Sequence, residues 1–437
     1  MLKTLPSRPT TSKPLLLTHK LFFLIYILSS LFVAFAIILT ASPNPTTWST
    51  FLADFTRSHP ARGEAGFGLF LIRGHNDTIP FAYAWRLINP TFWSRFTSWT
   101  GYVAHQLGQF YILAQAQMAK RRGEITWSKT MNKYGWWMVQ LNTVMVAYKF
   151  FQGHIWYDGT AQDLPDAKFT LVLTYLCKLP ASIKYRRGLF FGRVRSLAGG
   201  IVTKDMFEFF VKYHAYLFRS FQHSFGTCYT FHYHPPEATL GHFSGFFYMF
   251  LLFWQSSLLF HTSHRNRTWT TALECTVWLH GVLTAIFQGG RGWLVFTYGF
   301  ASIFVITQVW GLPYVQRQRA KGNPFFSVPA VLAVYAALVL LGFGLSGNLN
   351  RVFFITFIPT SEYGCLVFYW IAFLACWWIV RGMERLGMLC SDKNNGPGWV
   401  KVAVVAVLYF AVNLAVLVGY SVMLGGPLQV YNNYNIE

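Results

Sequence analysis

Acidic residues are the scarcest class in this chain, with 15 Asp and Glu among 437 residues against 36 Lys and Arg. Charged residues of all kinds make up 12%, roughly half the share an average soluble protein carries. That deficit excludes an ordinary soluble enzyme. Paired cysteines are missing as well: Cys177, Cys228, Cys275, Cys365, Cys376 and Cys390 stand singly with no Cys-x-x-Cys, which implies neither a zinc site nor a disulfide framework. There is no P-loop, no GxSxG and no DxDD, and the turn Gln288-Gly289-Gly290-Arg291-Gly292 is too short to cradle a nucleotide. Asp163-Leu164-Pro165-Asp166 has the form of half a magnesium–diphosphate motif, yet no second acidic motif accompanies it. These absences predict no metal and no cofactor.

What is abundant is apolar. Runs close to 20 residues and almost free of charge recur, as in Leu21 to Thr40 and Val402 to Met423, about the length a helix needs to cross the hydrocarbon core. A formal charge of +21 fits nucleic acid, an acidic partner or membrane topology, and these runs select topology over nucleic acid. Spans are expected at about 20–40, 98–118, 134–153, 169–183, 206–227, 243–262, 270–287, 293–312, 329–347, 364–382 and 399–422. The fourth contains Lys178 and Pro180, and the fifth contains Glu208, Lys212, His214 and Arg219, so a re-entrant or interfacial helix is the alternative for either.

Basic residues fall in every second loop: Lys120, Arg121, Arg122, Lys129 and Lys133; then Lys184 to Lys204; then Arg265 and Arg267; then Arg317, Arg319 and Lys321. Cytoplasmic loops accumulate such residues. The reading is therefore an all-α, polytopic helical membrane protein with about 11 transmembrane helices, within a range of 8–11, and a cytoplasmic N-terminus. It divides into a cytoplasmic segment 1–19, one helical transmembrane domain 20–422 and a luminal tail 423–437. Lys3, Arg8, Lys13 and Lys20 ahead of the first run, with no small-residue cleavage site, predict a retained anchor. The sequon Asn76-Asp77-Thr78 falls in the first luminal loop, where glycosylation is expected, whereas Asn266-Arg267-Thr268 falls on the cytoplasmic side. Localisation is expected to be integral to a membrane of the secretory pathway, with the endoplasmic reticulum as the default.

An ionisable residue inside a span is costly and marks a functional candidate. Among the acids only Glu274 lies clearly within a span, with Glu208 at the margin of another. A low-dielectric setting disfavours the carboxylate and leaves a neutral acid able to deliver a proton; pairing with Arg265 or Arg267 is the structural alternative. His280 lies two turns deeper on the same helix, and His261 and His264 end the preceding span on one helical face. For His-Thr-Ser-His, hydrogen bonding is a more ordinary role than metal ligation. A second cluster is luminal: His154, Trp156 and Asp158, then Asp163 and Asp166, facing His232, His234 and Glu237 with His242 beyond. It offers acid–base groups, with loop capping as the alternative.

Aromatics make up 19% of the chain. Most are expected to face lipid, but Phe246, Phe247, Tyr248, Phe253 and Trp254 in one span are also what a pocket for a greasy substrate or a carbocation would use. Intramembrane Gln109, Gln140, Asn142, Gln255 and Gln308 either bind helices together or meet a polar head group, helix association being the commoner use.

The blocks GHFSGFFYMFLLFWQSSLLFHTSHRNRTWTTALECTVWLHG, 241–281, and GHIWYDGTAQDLPDA, 153–167, resemble the fungal integral-membrane terpene cyclases of meroterpenoid biosynthesis, the macrophorin and ascochlorin type. The resemblance implies a cyclase (isomerase) acting on an isoprenoid chain attached to an aromatic or quinone-like head. Such enzymes protonate a terminal alkene or an epoxide and do not ionise a diphosphate, in keeping with a single acidic motif. It implies Glu274 or Asp158 as the acid, with His280, His264 or His154 orienting it or accepting the final proton. Trp156, Trp254, Phe247, Gln255 and His242 would line the substrate. The competing expectation is a transporter or exporter of a lipophilic metabolite, for which inverted repeats and broken spans would be the signature.

Overall fold

The computed structural model describes residues 91–155, 204–218, 240–287, 292–389 and 400–408, with isolated positions 24, 25, 28, 31, 32, 411, 412 and 415. Among these described residues 86% are helical and none belongs to a strand. The expected spans at 98–118, 134–153, 243–262, 270–287, 293–312, 329–347 and 364–382 each coincide with a helix, whereas 169–183 lies outside the described residues.

Local chemistry sets the helix ends. Helix α1, Phe92–Arg121, starts where the Thr91 hydroxyl accepts from the Ser94 amide at 3.1 Å. It stops at Gly123, whose φ of 77° lets the Glu124 amide return to the Ala119 carbonyl at 3.0 Å. Helix α2, Lys133–Ile155, is capped by Asn132, whose Oδ1 accepts from the amides of Tyr134 and Gly135 at 3.0 and 3.1 Å. Helix α3 is Lys204–Phe218 and helix α4 is Leu240–Ser257. Asn266 caps helix α5, Arg267–Phe287, through the Trp269 amide at 3.1 Å, so the side chain of the second sequon serves the backbone.

Helix α6, Gly292–Ile303, does not stop cleanly. It runs through a π turn, Phe304–Gln308, and a 3₁₀ turn, Val309–Gly311, pinned by Trp310 Nε1 donating to the Val305 carbonyl at 2.6 Å. The short helix α7, Pro313–Ala320, leads to α8, Val328–Leu345, and then α9, Phe357–Arg385; residues 400–408 form α10. Two described helical stretches, Trp293–Gly311 and Val328–Leu345, are long and apolar enough to cross a membrane.

Helices α1 and α2, α2 and α4, α4 and α5, α5 and α6, and α6 and α8 pack antiparallel, and their contacts show where the fold is held. Thr97 at the start of α1 meets the end of α2, where Tyr148 donates to its carbonyl at 2.7 Å; further along, an added Cβ on Gly108 would come 2.8 Å from Leu141. Gly135 on α2 lies so close to α4 that a Cβ would sit 2.7 Å from the Ser257 carbonyl oxygen, a backbone atom that cannot move aside. On α5, Trp278 Nε1 donates to the Thr297 carbonyl of α6 at 3.0 Å. Tyr335 of α8 donates to the Tyr298 carbonyl at 2.9 Å, above a small core of Leu294, Val339 and Phe343.

At the centre of α1, α2 and α4 the glue is polar. The Asn142 Oδ1 is met by His105 Nε2 at 2.9 Å and by Gln109 Nε2 at 3.2 Å, while its Nδ2 reaches Ser256 Oγ at 3.3 Å. His105, Gln109, Asn142 and Ser256 are all buried. Replacing Asn142 by Leu removes one bond from each of three buried groups on two neighbouring helices, His105, Gln109 and Ser256, at a cost of about 2 kcal/mol. A lowered melting temperature for Asn142→Leu in detergent, with Gln140→Leu on the exposed face unchanged, is the expected result.

Candidate active site

The candidate residues that the structure describes gather on the α4–α5 hairpin. Each helix supplies one face: the two run antiparallel, so Ser244 lies opposite His280 and Gln255 opposite Trp269. Ser244 Oγ is 3.0 Å from His280 Nδ1, and the imidazole stacks on Tyr248 with ring centroids 6.4 Å apart and planes inclined by 23°. A serine at 244 thus fixes the turn of the ring, whose tautomer follows whichever group donates.

At the other end of the hairpin, Gln255 is held on both sides. Trp269 Nε1, which can only donate, gives its hydrogen to Gln255 Oε1 at 2.6 Å. That orients the amide and directs Nε2 to His264 Nδ1 at 3.1 Å and to the His264 carbonyl at 3.4 Å. The same Nδ1 lies 3.4 Å from the Gln255 carbonyl, so the ring is held against residue 255 by side chain and backbone together. The His214 ring of α3 faces His264 at 6.5 Å.

Glu274 lies between Trp269 and His280 along α5 but on another side of the helix, about 140° and 120° round from them, and one of its carboxyl oxygens, Oε2, is buried. Trp254 is 1% exposed within the hairpin core, and Phe247 packs against that core from the same helix. Six residues separate Glu274 from His280, a rise of about 9 Å with a change of helix face, so the two cannot share a hydrogen bond.

His261 and His264 do not share a helical face. Helix α4 ends at Ser257, Phe260 takes a φ of 55°, and a 3₁₀ turn, Thr262–Arg265, follows. His261 caps that turn, accepting from the Ser263 amide at 3.2 Å while its Nε2 donates to the Lys129 carbonyl at 2.7 Å, so it is structural. Among the described residues no group of three His, Cys, Asp or Glu is placed to hold a metal ion.

Asp158, Trp156 and Asn76 lie outside the described residues. His154 occupies the last turn of α2 and His242 the first turn of α4, and the antiparallel packing brings those two helix ends to the same end of the bundle. Next to them is a group that sequence reasoning passed over: Lys149, 1% exposed, donating to Gln152 Oε1 at 2.7 Å beside Thr97. Its signal was available, because a lysine within an apolar run is as costly as a glutamate. A second overlooked cluster joins α3, α9 and α10. Arg381 binds both oxygens of Asp205 at 2.6 and 2.9 Å and also Glu384, which in turn pairs with buried Lys401; Trp377 Nε1 adds a bond to Asp205 at 2.9 Å.

Compared with protein families, curated proteins and solved structures, the chain matches none.

Proposed function

We propose that the chain is a polytopic integral membrane protein, with its N-terminus cytoplasmic, that cyclises the isoprenoid chain of a prenylated aromatic or quinone-like substrate. The membrane reading is supported by two helical stretches of spanning length and by large apolar side chains left outside the fold, such as Leu338, Leu341, Leu345 and Trp378. Soluble monomers rarely carry surfaces of this kind. Cross-helix contacts join like ends throughout, as alternating spans require: residue 128 meets 261, Asp205 meets Arg381, and Thr97 meets Gln152.

The observation that carries the cyclase reading is the half-buried Glu274, one carboxyl oxygen of which is withdrawn from solvent, on a hairpin rich in aromatic rings. The acid gives its proton to the terminal alkene or epoxide, the alkene π electrons close successive rings, and Trp and Phe faces stabilise the cations. Loss of a proton from the final cation, to a base such as His280 or His264, ends the cascade. One proton enters and one leaves, so the product is an isomer. Microsomes bearing the chain, fed with a prenylated phenol, are expected to yield a product of unchanged mass and altered retention. Added mass would indicate group transfer, and recovery of substrate alone from active membranes would sink the reading.

A transport reading is favoured by one feature, the π turn toward the end of the apolar stretch Trp293–Gly311, with Gln308 buried within it. Interrupted helices of this kind mark substrate pathways in transporters. Vesicle uptake of the unaltered phenol would support it.

A further inference from the structure

The loop between α1 and α2 is stitched to the turn between α4 and α5. The Ser128 amide donates to the Phe260 carbonyl at 3.2 Å and the Thr262 amide to the Ser128 carbonyl at 2.9 Å. Asn132 Nδ2 reaches the Leu259 carbonyl at 2.5 Å, and buried His261 holds the carbonyl of Lys129. Two connections distant in sequence thus make one fixed platform.

Its charge is lopsided. Lys120, Arg121, Arg122, Lys129, Lys133 and Arg265 stand on it with one carboxylate, Glu124. The Arg122 guanidinium bonded to Glu124 holds that carboxyl below its ordinary range, so it stays ionised and is already paired with a platform cation. Aromatic rings set the cations in place: the Arg265 guanidinium lies 3.6 Å above Trp127, and the Lys133 ammonium lies 5.0 Å from the Tyr134 ring and 6.0 Å from Trp137. Trp136 and Trp137 are exposed on the first turn of α2, beside Lys133.

The geometry points to a binding site for the headgroup of an anionic phospholipid in the cytoplasmic leaflet. Lys129, Lys133 and Arg265 would meet phosphate and carboxylate oxygens, while Trp136 and Trp137 lie along the glycerol and upper acyl region. The exposed indoles choose lipid over nucleic acid or an acidic protein, because they continue the cationic surface directly into an apolar one. The site rests on the membrane reading above and is independent of the cyclase chemistry.

The test titrates the full-length chain in mild detergent with phosphatidylserine or phosphatidylcholine and counts bound lipid by native mass spectrometry. Phosphatidylserine is expected to be retained over phosphatidylcholine, and Lys129→Gln/Lys133→Gln/Arg265→Gln to weaken it on the order of a hundredfold. The matched triple Arg317→Gln/Arg319→Gln/Lys321→Gln, which removes equal charge from the α7 region, is expected to leave retention unchanged. Equal loss from both triples, or no preference for phosphatidylserine, overturns the site. Equal affinity for water-soluble glycerophosphoserine also overturns it, because the acyl chains along Trp136 and Trp137 would then add nothing and the platform would bind a free anion. Should the first triple lose its thermal transition, Lys133→Glu alone reads the same surface without touching the bridge. Alkaline carbonate extraction separates the two claims: release of the chain from membranes sinks the membrane reading, whereas firm retention with no lipid preference sinks only the platform.

Discussion

Glu274→Gln is expected to reduce cyclisation in microsomes by roughly a hundredfold to ten-thousandfold, the range a positioned general acid contributes. Gln keeps the shape and a hydrogen-bonding carbonyl but has no acidic proton, so the change addresses chemistry more than packing. Glu274→Asp should restore part of the rate if the carboxyl itself is required, because the shorter side chain still offers a proton about 1 Å or more out of place. The parallel variant Asp158→Asn separates the two carboxyl candidates at opposite ends of the proposed spans. Full activity in both Gln and Asn variants would dismiss the acid assignment, and loss in Asp158→Asn alone would move the acid to the other end. The check is product formation by mass spectrometry, normalised to folded protein by its thermal transition.

The largest effect on stability is expected at Glu384. Its side chain is 8% exposed, lies between Arg381 and Lys401, and pairs with a lysine side chain that is 1% exposed. Glu384→Ala leaves the Lys401 ammonium buried without its carboxylate, at a cost of about 3–5 kcal/mol. Lys401→Met should cost less, because Glu384 keeps Arg381 while the methionine fills the lysine's volume. The double variant Glu384→Ala/Lys401→Met is expected to recover much of the loss, since no ion is then stranded. Melting temperatures of the four proteins in one detergent close the cycle. Strict additivity would mean that Glu384 and Lys401 do not depend on each other.

The helices were legible from hydropathy because an apolar run reports directly on what a helix can bury or expose to lipid. Their ends were less so. Helix α9 extends from Phe357 to Arg385, beyond the apolar stretch at 364–382, and takes Glu362 and Glu384 into the helix. At its C-terminal end, ion pairing of Glu384 and the backbone cap at Leu386 carry the helix past the point where its hydropathy falls. The opposite happened at α4, which ends at Ser257 although Leu258, Leu259 and Phe260 are apolar. There Phe260 adopts a positive φ, and the backbone bonds to residue 128 instead of continuing its own helix.

At the candidate site, sequence separated acids from bases well but could not see partners. That Gln109 and Asn142 bind helices together while Gln255 orients a histidine depends on helix rotation, which composition does not encode. His105 and Lys149 were missed because the scarcity of carboxylates drew attention to one sign of charge, whereas burial is costly for either.

The bond from His261 to Lys129 joins residues 132 positions apart. During synthesis the α1–α2 loop must therefore wait for its clasp. At about 5–20 residues per second, the ribosome needs on the order of ten seconds to deliver His261 after Lys129 has emerged. Through that interval the first described hairpin exists without the partner that fixes its basic turn. Under the proposed topology, the orientation of α1 and α2 would be set by their own charges before the clasp forms.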